Sequence, residues 1–245
     1  MKVICAGIGK TGTKSITKAL RHLGFTVFDW EEQIFDFLDH WFDVFQNGAD
    51  PDVKRVYQNA DAVVDIPGNV FWEEILEAFP DCKVILSERE EDSWVKSMAN
   101  QLKTVEAVKS RTMALLSPTM RKMYYIGDSN VRALVGSCNK NSTCVFRKRY
   151  RIHNHHVKSI VSPDKLLVYN VQQGWKPLCD FLGCEVPPVA FSYENVKGEV
   201  AKSLVSLSVT RFGCQVKWEI QRNVFVIMCV LLVIVATFVA FCYHY

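Results

Sequence analysis

The sequence predicts an α/β fold: a three-layer arrangement in which helices cover both faces of a parallel sheet, followed by one C-terminal transmembrane helix. The first observation is that short, β-rich apolar runs alternate along the chain with helical stretches, at the spacing of strand–helix–strand units. The second is an unbroken apolar segment at residues 224–242, which contains no charge, proline or glycine. Roughly 20 such residues cross a bilayer as a helix.

The composition limits the classes of protein that fit. Hydrophobic residues make up 49% of the 245 and charged residues 22%, so the chain can build a packed core and is not globally disordered. The 29 Lys and Arg nearly balance the 26 Asp and Glu, which gives a net charge of +3. This balance argues against a general binder of polyanions, so we expect no nucleic-acid partner and any anion site must be local.

Five strands are predicted from short apolar runs that end at a glycine, a proline or a charged turn. They lie at residues 2–8, 26–28, 61–66, 83–87 and 166–171. Between them, composition and the spacing of apolar residues by three and four predict helices, two of which end at Gly24 and Pro80. These helices lie at residues 15–23, 31–45, 70–79, from 92 onward and 174–182. After residue 103 the pattern stays helical but is less distinct.

The predicted organisation is one α/β domain at residues 1–195, a connector at 196–223 and a membrane anchor at 224–243. Arg211, Lys217 and Arg222 precede the apolar segment, and basic flanks face the cytosol. The chain starts with a strand rather than a secretion signal, and its nine cysteines contain no C-x-x-C pair, as expected for reduced thiols. We expect a single-pass, tail-anchored membrane protein with a cytosolic N-terminal domain; a buried core helix, the alternative, rarely runs this long uninterrupted.

The loop after the first strand has the composition of a phosphate cradle. Glycines permit a tight turn and a close backbone approach, and the N–H groups that open a helix bind anions. Hydroxyl and lysine side chains add donors and positive charge. The candidate binding residues are Gly9, Lys10, Thr11, Gly12, Thr13, Lys14 and Ser15. The nucleoside-triphosphate loop G-x-x-x-x-G-K-[ST] does not match, because Thr13 separates Gly12 from Lys14. A glycine-rich turn without a ligand is the alternative.

A second anion site is predicted after the fourth strand. Arg89, Ser93 and Ser97 are separated by four residues, so they can share one face of the helix that follows. A guanidinium forms forked hydrogen bonds to phosphate, and a hydroxyl adds one more. The alternative is that Arg89 pairs with the acidic residues Glu90, Glu91 and Asp92, which also favour a helix N-terminus.

Lys10-Thr11-Gly12-Thr13 resembles the Lys-[ST]-Gly-Thr loop of the sulfotransferases, which holds the 5′-phosphosulfate of 3′-phosphoadenylyl sulfate. Arg89 and Ser97 resemble that family's pair for the donor's 3′-phosphate in residue type and spacing. Segments 29–32, 71–74 and 174–183 are similar to an animal and fungal sulfotransferase-like group with the loop Gly-x-x-[KR]-Thr-Gly-Thr-x-Ser. The resemblance covers roughly residues 1–195.

The resemblance implies a P-loop-type sheet, 3′-phosphoadenylyl sulfate as co-substrate without a metal, and transfer of a sulfuryl group to a hydroxyl or amine. Lys10 would neutralise the leaving oxygen. Asp65 lies where other members have a histidine general base, and a desolvated carboxylate can do the same work. Asp65 also fits the magnesium aspartate of a nucleotide hydrolase, or a cap for the turn before Pro67. His153 is the second candidate base.

Two other functions fit the same residues. A P-loop nucleotide kinase or NTPase would need Mg²⁺ and would prefer ATP. A catalytically inactive, membrane-tethered adaptor would keep only the fold. The acceptor predicted for the sulfotransferase is a small or membrane-borne molecule. The basic run at residues 147–151 is interpreted as a solvated face that leans on anionic lipid.

Overall fold

The computed structural model describes residues 1–193 and 211–244, and it has a five-stranded sheet at its centre. The strands are β1 (Val3–Cys5), β2 (Val27–Phe28), β3 (Ala62–Val63), β4 (Lys83–Ser87) and β5 (Leu166–Tyr169). Their order is β2-β3-β1-β4-β5, and every neighbouring pair is parallel. The predicted α/β class with a parallel sheet is confirmed.

Helices cover both faces of this sheet. They are α1 (Thr13–His22), α2 (Trp30–Asp36), α3 (Leu38–Phe42) with a π-helical turn at Asp43–Asn47, α4 (Val53–Tyr57), α5 (Trp72–Ala78), α6 (Glu91–Val108), α7 (Arg111–Leu116), α8 (Pro118–Val135), α9 (Thr143–Ile160), α10 (Trp175–Leu182) and α11 (Arg211–His244); a 3-10 turn at Val171–Gln173 follows β5.

The three layers follow from alternation along the strands, because successive side chains of a strand point to opposite faces. Ile4, Val84 and Leu86 pack on one face, in a cluster shared with α2–α5, α8 and α9. Val3, Cys5 and Ile85 pack on the other, against α1 and α10. Both faces of the sheet are therefore buried.

The prediction of one continuous helix at residues 31–45 is wrong, because the segment is divided into separate helices. The chain leaves helical geometry at Phe37 (φ −128°), which separates α2 from α3. Phe35, before the break, stacks on Phe212, whereas Trp41, after it, stacks on Phe71. The aromatic residues of this segment thus serve two different contacts, which one straight helical stripe does not provide.

Four of the five strands are shorter than predicted, with β1 and β3 each four residues shorter, whereas β4 has the predicted bounds. Beyond β1 the chain passes very close to β4, since a Cβ placed on Gly7 would lie 2.0 Å from Ser87 Oγ. A glycine is therefore required where the chain leaves the sheet. The ladder ends there, and the following residues form the candidate loop.

The C-terminal helix α11 begins well before the apolar segment. Its first turns pack on the domain, with Phe212 and Val216 buried beside Met120. From residue 224 onward its side chains are exposed. Its most apolar window has a mean hydropathy of 3.2, with none of it buried, so α11 is long and apolar enough to cross a membrane. Of the predicted connector, residues 211–223 are helix, and residues 196–210 lie outside the described residues.

Candidate functional site

The loop after β1 lies at the carboxyl edge of the sheet, where β1 has β3 on one side and β4 on the other. In open parallel sheets, ligands bind at such a point of divergence. Gly12 adopts φ +103°, and a Cβ there would lie 2.5 Å from Val171. Within the described residues no side chain caps α1, so the first N–H groups of this helix remain available for an anion.

Helix α6 packs directly on this loop. Trp94 Nε1 donates to the Gly9 carbonyl at 3.0 Å, and Lys10 Nζ lies 3.4 Å from Gln101 Oε1. Gln101 follows Ser97 by four residues, so both lie on one face of α6. The structure thus brings the loop and the helix that carries Ser97 together at the same edge of the sheet.

Lys10 has an electrostatic environment set by three groups. Burial lowers the pKa of its ammonium, the Asp65 carboxylate raises it, and the Arg89 guanidinium lowers it. The backbone of Lys10 is left-handed, with φ +76°. Lys10, Asp65 and Arg89 are therefore close enough to share one electrostatic site.

The backbone of Arg89, just after β4, is held in place by the Tyr150 hydroxyl. Its N–H donates to the Tyr150 hydroxyl at 2.9 Å, and that hydroxyl lies 2.8 Å from the Arg89 carbonyl. Its side-chain Nε donates to Ser93 Oγ at 3.0 Å. A cleft of about 320 Å³ opens beside it, lined by Glu88, Arg89, Val168, Tyr169, Asn170 and Gln173.

The acidic residues that follow Arg89 have hydrogen-bond or ion-pair partners other than Arg89. Glu90 caps α6 by accepting from the backbone of Asp92 and Ser93, and Glu91 pairs with Arg147 and Arg151 at 2.5 Å. In the described part of the chain, Arg89 has no carboxylate partner. The same contacts pair two arginines of the basic run 147–151 with α6, while Lys148 and Arg149 are exposed.

Asp65 lies beneath the loop, also with a left-handed backbone (φ +69°). Its Oδ2 accepts from Thr13 Oγ1 at 2.9 Å, and its Oδ1 accepts from the Ile66 N–H at 2.9 Å. Burial raises the pKa of this carboxyl and Asp29 raises it further, while Lys14 and the two hydrogen bonds oppose them. Asp65 thus combines the predicted turn cap with a contact to the loop.

The remaining loop residues divide into structural and charged groups. Thr11 is buried and bonds to the Ile8 carbonyl (2.7 Å) and Ser87 Oγ (2.5 Å), and Ser15 is also buried. Lys14 Nζ donates to Asp29 Oδ2 and Glu31 Oε2, both at 2.8 Å. The structure therefore places the Lys14 ammonium on two carboxylates, a pairing that the sequence analysis did not anticipate.

Several residues that hold the site were missed from the sequence. Gln101, Trp94 and Tyr150 each contact the loop or Arg89, and their sequence positions give no signal of it. His153, the second candidate base, lies with Nε2 at 2.6 Å from the Ala6 carbonyl, and burial lowers its pKa. Its ring is thus fixed to the backbone before the loop.

Comparison with known proteins identifies the class of domain. Residues 2–200 match the family described as a sulfotransferase domain. Over 208 residues the chain is 29% identical to a protein of Aspergillus versicolor named Ava biosynthesis cluster protein M, covering 79% of this chain and 80% of that protein. Since the match spans most of the chain and agrees with the loop at the carboxyl edge of the sheet, this chain belongs to the sulfotransferase-domain family.

Proposed function

We propose that this protein transfers a sulfuryl group from 3′-phosphoadenylyl sulfate to a hydroxyl or amine acceptor at a membrane surface. The observation that carries the proposal is the packing of α6 on the loop, with Lys10 Nζ at 3.4 Å from Gln101 Oε1. Because this contact places α6 beside the loop, the 5′ end of one nucleotide can touch the loop while its 3′ end touches Arg89 and Ser97.

The residues at this edge fit such a donor. The uncapped start of α1 and the backbone at Gly9 and Gly12 offer N–H groups to the 5′-phosphosulfate. Arg89 uses Nε for Ser93 and has no carboxylate partner among the described residues, so its terminal nitrogens can fork onto a phosphate. The cleft beside Arg89 leaves room for the nucleotide at the ends of β4 and β5.

The proposed reaction is a direct displacement at sulfur. The acceptor oxygen or nitrogen forms a bond to the sulfur, the bond from sulfur to the bridging phosphate oxygen breaks, and 3′,5′-adenosine bisphosphate leaves. Lys10 neutralises the charge that develops on the bridging oxygen, and Asp65 takes the acceptor's proton. The raised pKa of Asp65 suits a base, since it brings the proton affinity closer to neutrality.

Membrane attachment forms part of the proposal. Helix α11 would anchor the chain at residues 224–243, with the N-terminal domain in the cytosol. The basic residues before the apolar segment agree with that orientation. A membrane-borne acceptor, or a small molecule that partitions into the bilayer, would then meet the domain at the membrane surface.

One contact favours a second candidate, a P-loop nucleotide kinase or hydrolase. The hydrogen bond from Thr13 to Asp65 joins the two residue types that hold Mg²⁺ in P-loop hydrolases. Calorimetry with 3′,5′-adenosine bisphosphate, and with ATP in the presence and absence of Mg²⁺, separates the two. Binding of the bisphosphate without metal supports the sulfotransferase, and tight binding of ATP only with Mg²⁺ rejects it.

Activity itself is tested by transfer of labelled sulfate to lipid, steroid and peptide pools. Lys10→Ala should lower the rate by about 10² to 10³, because it removes a charge aimed at the leaving oxygen. Bisphosphate binding by the wild type without any transfer would instead favour the catalytically inactive adaptor. Unchanged transfer in Lys10→Ala would remove Lys10 from the mechanism.

A further inference from the structure

The start of α11 is clasped to the domain by a buried carboxylate. Glu219, only 7% exposed, accepts from Ser117 Oγ at 2.5 Å, from the Thr119 N–H at 3.1 Å and from Thr119 Oγ1 at 2.7 Å. Ser117 and Thr119 open α8, where a helix N-terminus favours negative charge. These contacts, which we call the Glu219 clasp, fix the direction in which α11 leaves the domain.

Helix α7 lies beside the point where the apolar segment begins. Asn223 Nδ2 donates to the Leu116 carbonyl, the last residue of α7, at 2.7 Å. The next residue, Val224, is the first of the apolar segment. Because α11 is one continuous helix here, a membrane that takes in residue 224 has its surface at the level of α7.

The surface at this level has the chemistry of a lipid contact. On α7, Leu115 is 77% exposed and Met113 is 37% exposed, although both are apolar. On α11, the Arg222 guanidinium lies 4.7 Å from the centre of the Trp218 ring, and Trp218 is 58% exposed. Tryptophan and basic side chains are enriched where a helix enters the bilayer interface.

Basic residues outnumber acidic ones around α7, although Lys109 pairs with Asp128 and Lys122 pairs with Asp39. Residues 109–123 contain no Asp or Glu, and their basic residues are Lys109, Arg111, Arg121 and Lys122. Between residues 211 and 223, the one acidic residue is Glu219, which is buried in the clasp. A basic surface that carries exposed apolar side chains matches anionic lipid headgroups above an acyl layer.

We propose that α7 is a second membrane contact, at which Leu115 enters the interfacial layer while Arg111, four residues earlier on the same face of α7, and Arg222 meet lipid phosphates. This proposal rests on the membrane crossing of α11, with which the surface is continuous. Together the two contacts hold the domain in one orientation on the bilayer. The proposal assigns the lipid contact to α7 rather than to the basic run at residues 147–151, of which Arg147 and Arg151 pair with Glu91 on α6.

Photocrosslinking of the full chain in vesicles of phosphatidylcholine and phosphatidylserine tests this. The photoreactive residue p-benzoyl-phenylalanine replaces Leu115, or Val145 as the control, or Val230 as a probe of the crossing. Val145 is 37% exposed, and a Cβ placed on Gly136 would lie 3.0 Å from it. Gly136 ends α8, so Val145 lies about 27 Å of helix from Ser117. We expect lipid adducts at positions 115 and 230 and a loss of adduct to background at position 145.

The other outcomes overturn the proposal in distinguishable ways. Adduct at position 230 but not at 115 leaves the membrane crossing intact and removes α7 from the surface. Equal adduct at 115 and 145 shows unspecific contact with the vesicle. A crosslink from position 115 to a second copy of the chain makes α7 a protein interface. Absence of lipid adduct at position 230 removes the crossing itself, and with it the second contact.

Discussion

The candidate site and the Glu219 clasp each contain a sequestered carboxylate, and the pKa values of the two carboxylates shift in opposite directions. Burial raises the pKa of Asp65, and the nearby Asp29 raises it further. Burial also acts to raise the pKa of Glu219, but hydrogen bonds from Ser117 and Thr119 outweigh it, so that this pKa falls below its ordinary value. A carboxylate with enough donors stabilises its surroundings, whereas one with too few retains affinity for a proton.

The backbone conformation also differs between the candidate site and the Glu219 clasp. Among the described residues, Lys10 and Asp65 are the non-glycine positions with positive φ, and both belong to the candidate site. A left-handed backbone costs about 1–2 kcal/mol at each such position. The clasp instead joins the start of α8 to Glu219, which lies within the continuous helix α11. Strain thus lies where chemistry is proposed, and saturated hydrogen bonding lies where the tail is attached.

The largest effect that separates the two regions is expected from Asp65→Asn. An amide cannot take the acceptor's proton, so sulfate transfer should fall by about 10² to 10⁴. Asparagine tolerates the left-handed backbone and removes the buried charge, so the free energy of unfolding should change by less than about 1 kcal/mol. Transfer assays and urea denaturation measure the two quantities on the same preparation.

The pH profile of the wild type adds a second readout. A base must be deprotonated to act, so activity should rise with pH, with a midpoint above the ordinary aspartate pKa of 3.8. Asp65→Asn should abolish this rise. Full activity of Asp65→Asn would exclude Asp65 as the base. A large loss of stability would mean that the carboxylate holds the turn.

The sequence predicted the parts of this comparison that depend on local pattern. The alternation of apolar runs gives the five strands, and the spacing of four places Ser93 and Ser97 on one face of α6. The loop after β1 follows from its glycines and hydroxyls. These features need no knowledge of which segments meet in space.

The remaining features depend on distant contacts. Lys14 bonds to Asp29 and Glu31 only because β2 lies in the same sheet and delivers α2 beside the loop. Glu219 reaches residues that precede it by about 100 positions. Local pattern assigns both groups to solvated faces, because neither partner is near in sequence. The break at Phe37 was missed for the same reason, since Phe212 is far away in the chain.

The second prediction concerns the clasp. Glu219→Gln removes the charge and places an amide NH₂ group where Thr119 Oγ1 and Gln215 Nε2 now donate, so the free energy of unfolding at pH 7 should fall by about 2 kcal/mol. Donor binding should not change, because the clasp does not touch the loop. Denaturation and calorimetry with 3′,5′-adenosine bisphosphate test both statements, and a loss of bisphosphate affinity equal to that of a loop variant would contradict the separation.

The sign of the pH dependence identifies the charge as the cause. The folded-state pKa of Glu219 lies below its ordinary value of 4.5, so its stabilisation is complete above that pH and is lost as pH falls through the folded-state value. The difference between wild type and Glu219→Gln should therefore shrink in acid. Asp65 has the opposite sign, since the stabilisation linked to a raised pKa is lost as pH rises through the folded-state value. A constant difference down to low pH would assign the effect to packing.

The smallest effects come from a pair of serines, one in each region. Ser97 has no hydrogen-bond partner among the described residues, so Ser97→Ala should leave stability unchanged while weakening bisphosphate binding by about fivefold, the value of about 1 kcal/mol for one hydroxyl. Ser117 caps α8 through the Met120 N–H and also donates to Glu219. Ser117→Ala should therefore lower the free energy of unfolding by about 1–2 kcal/mol with no change in bisphosphate affinity. If either serine moved both quantities, the candidate site and the tail attachment would be energetically coupled, and the division between a strained site and a saturated clasp would fail.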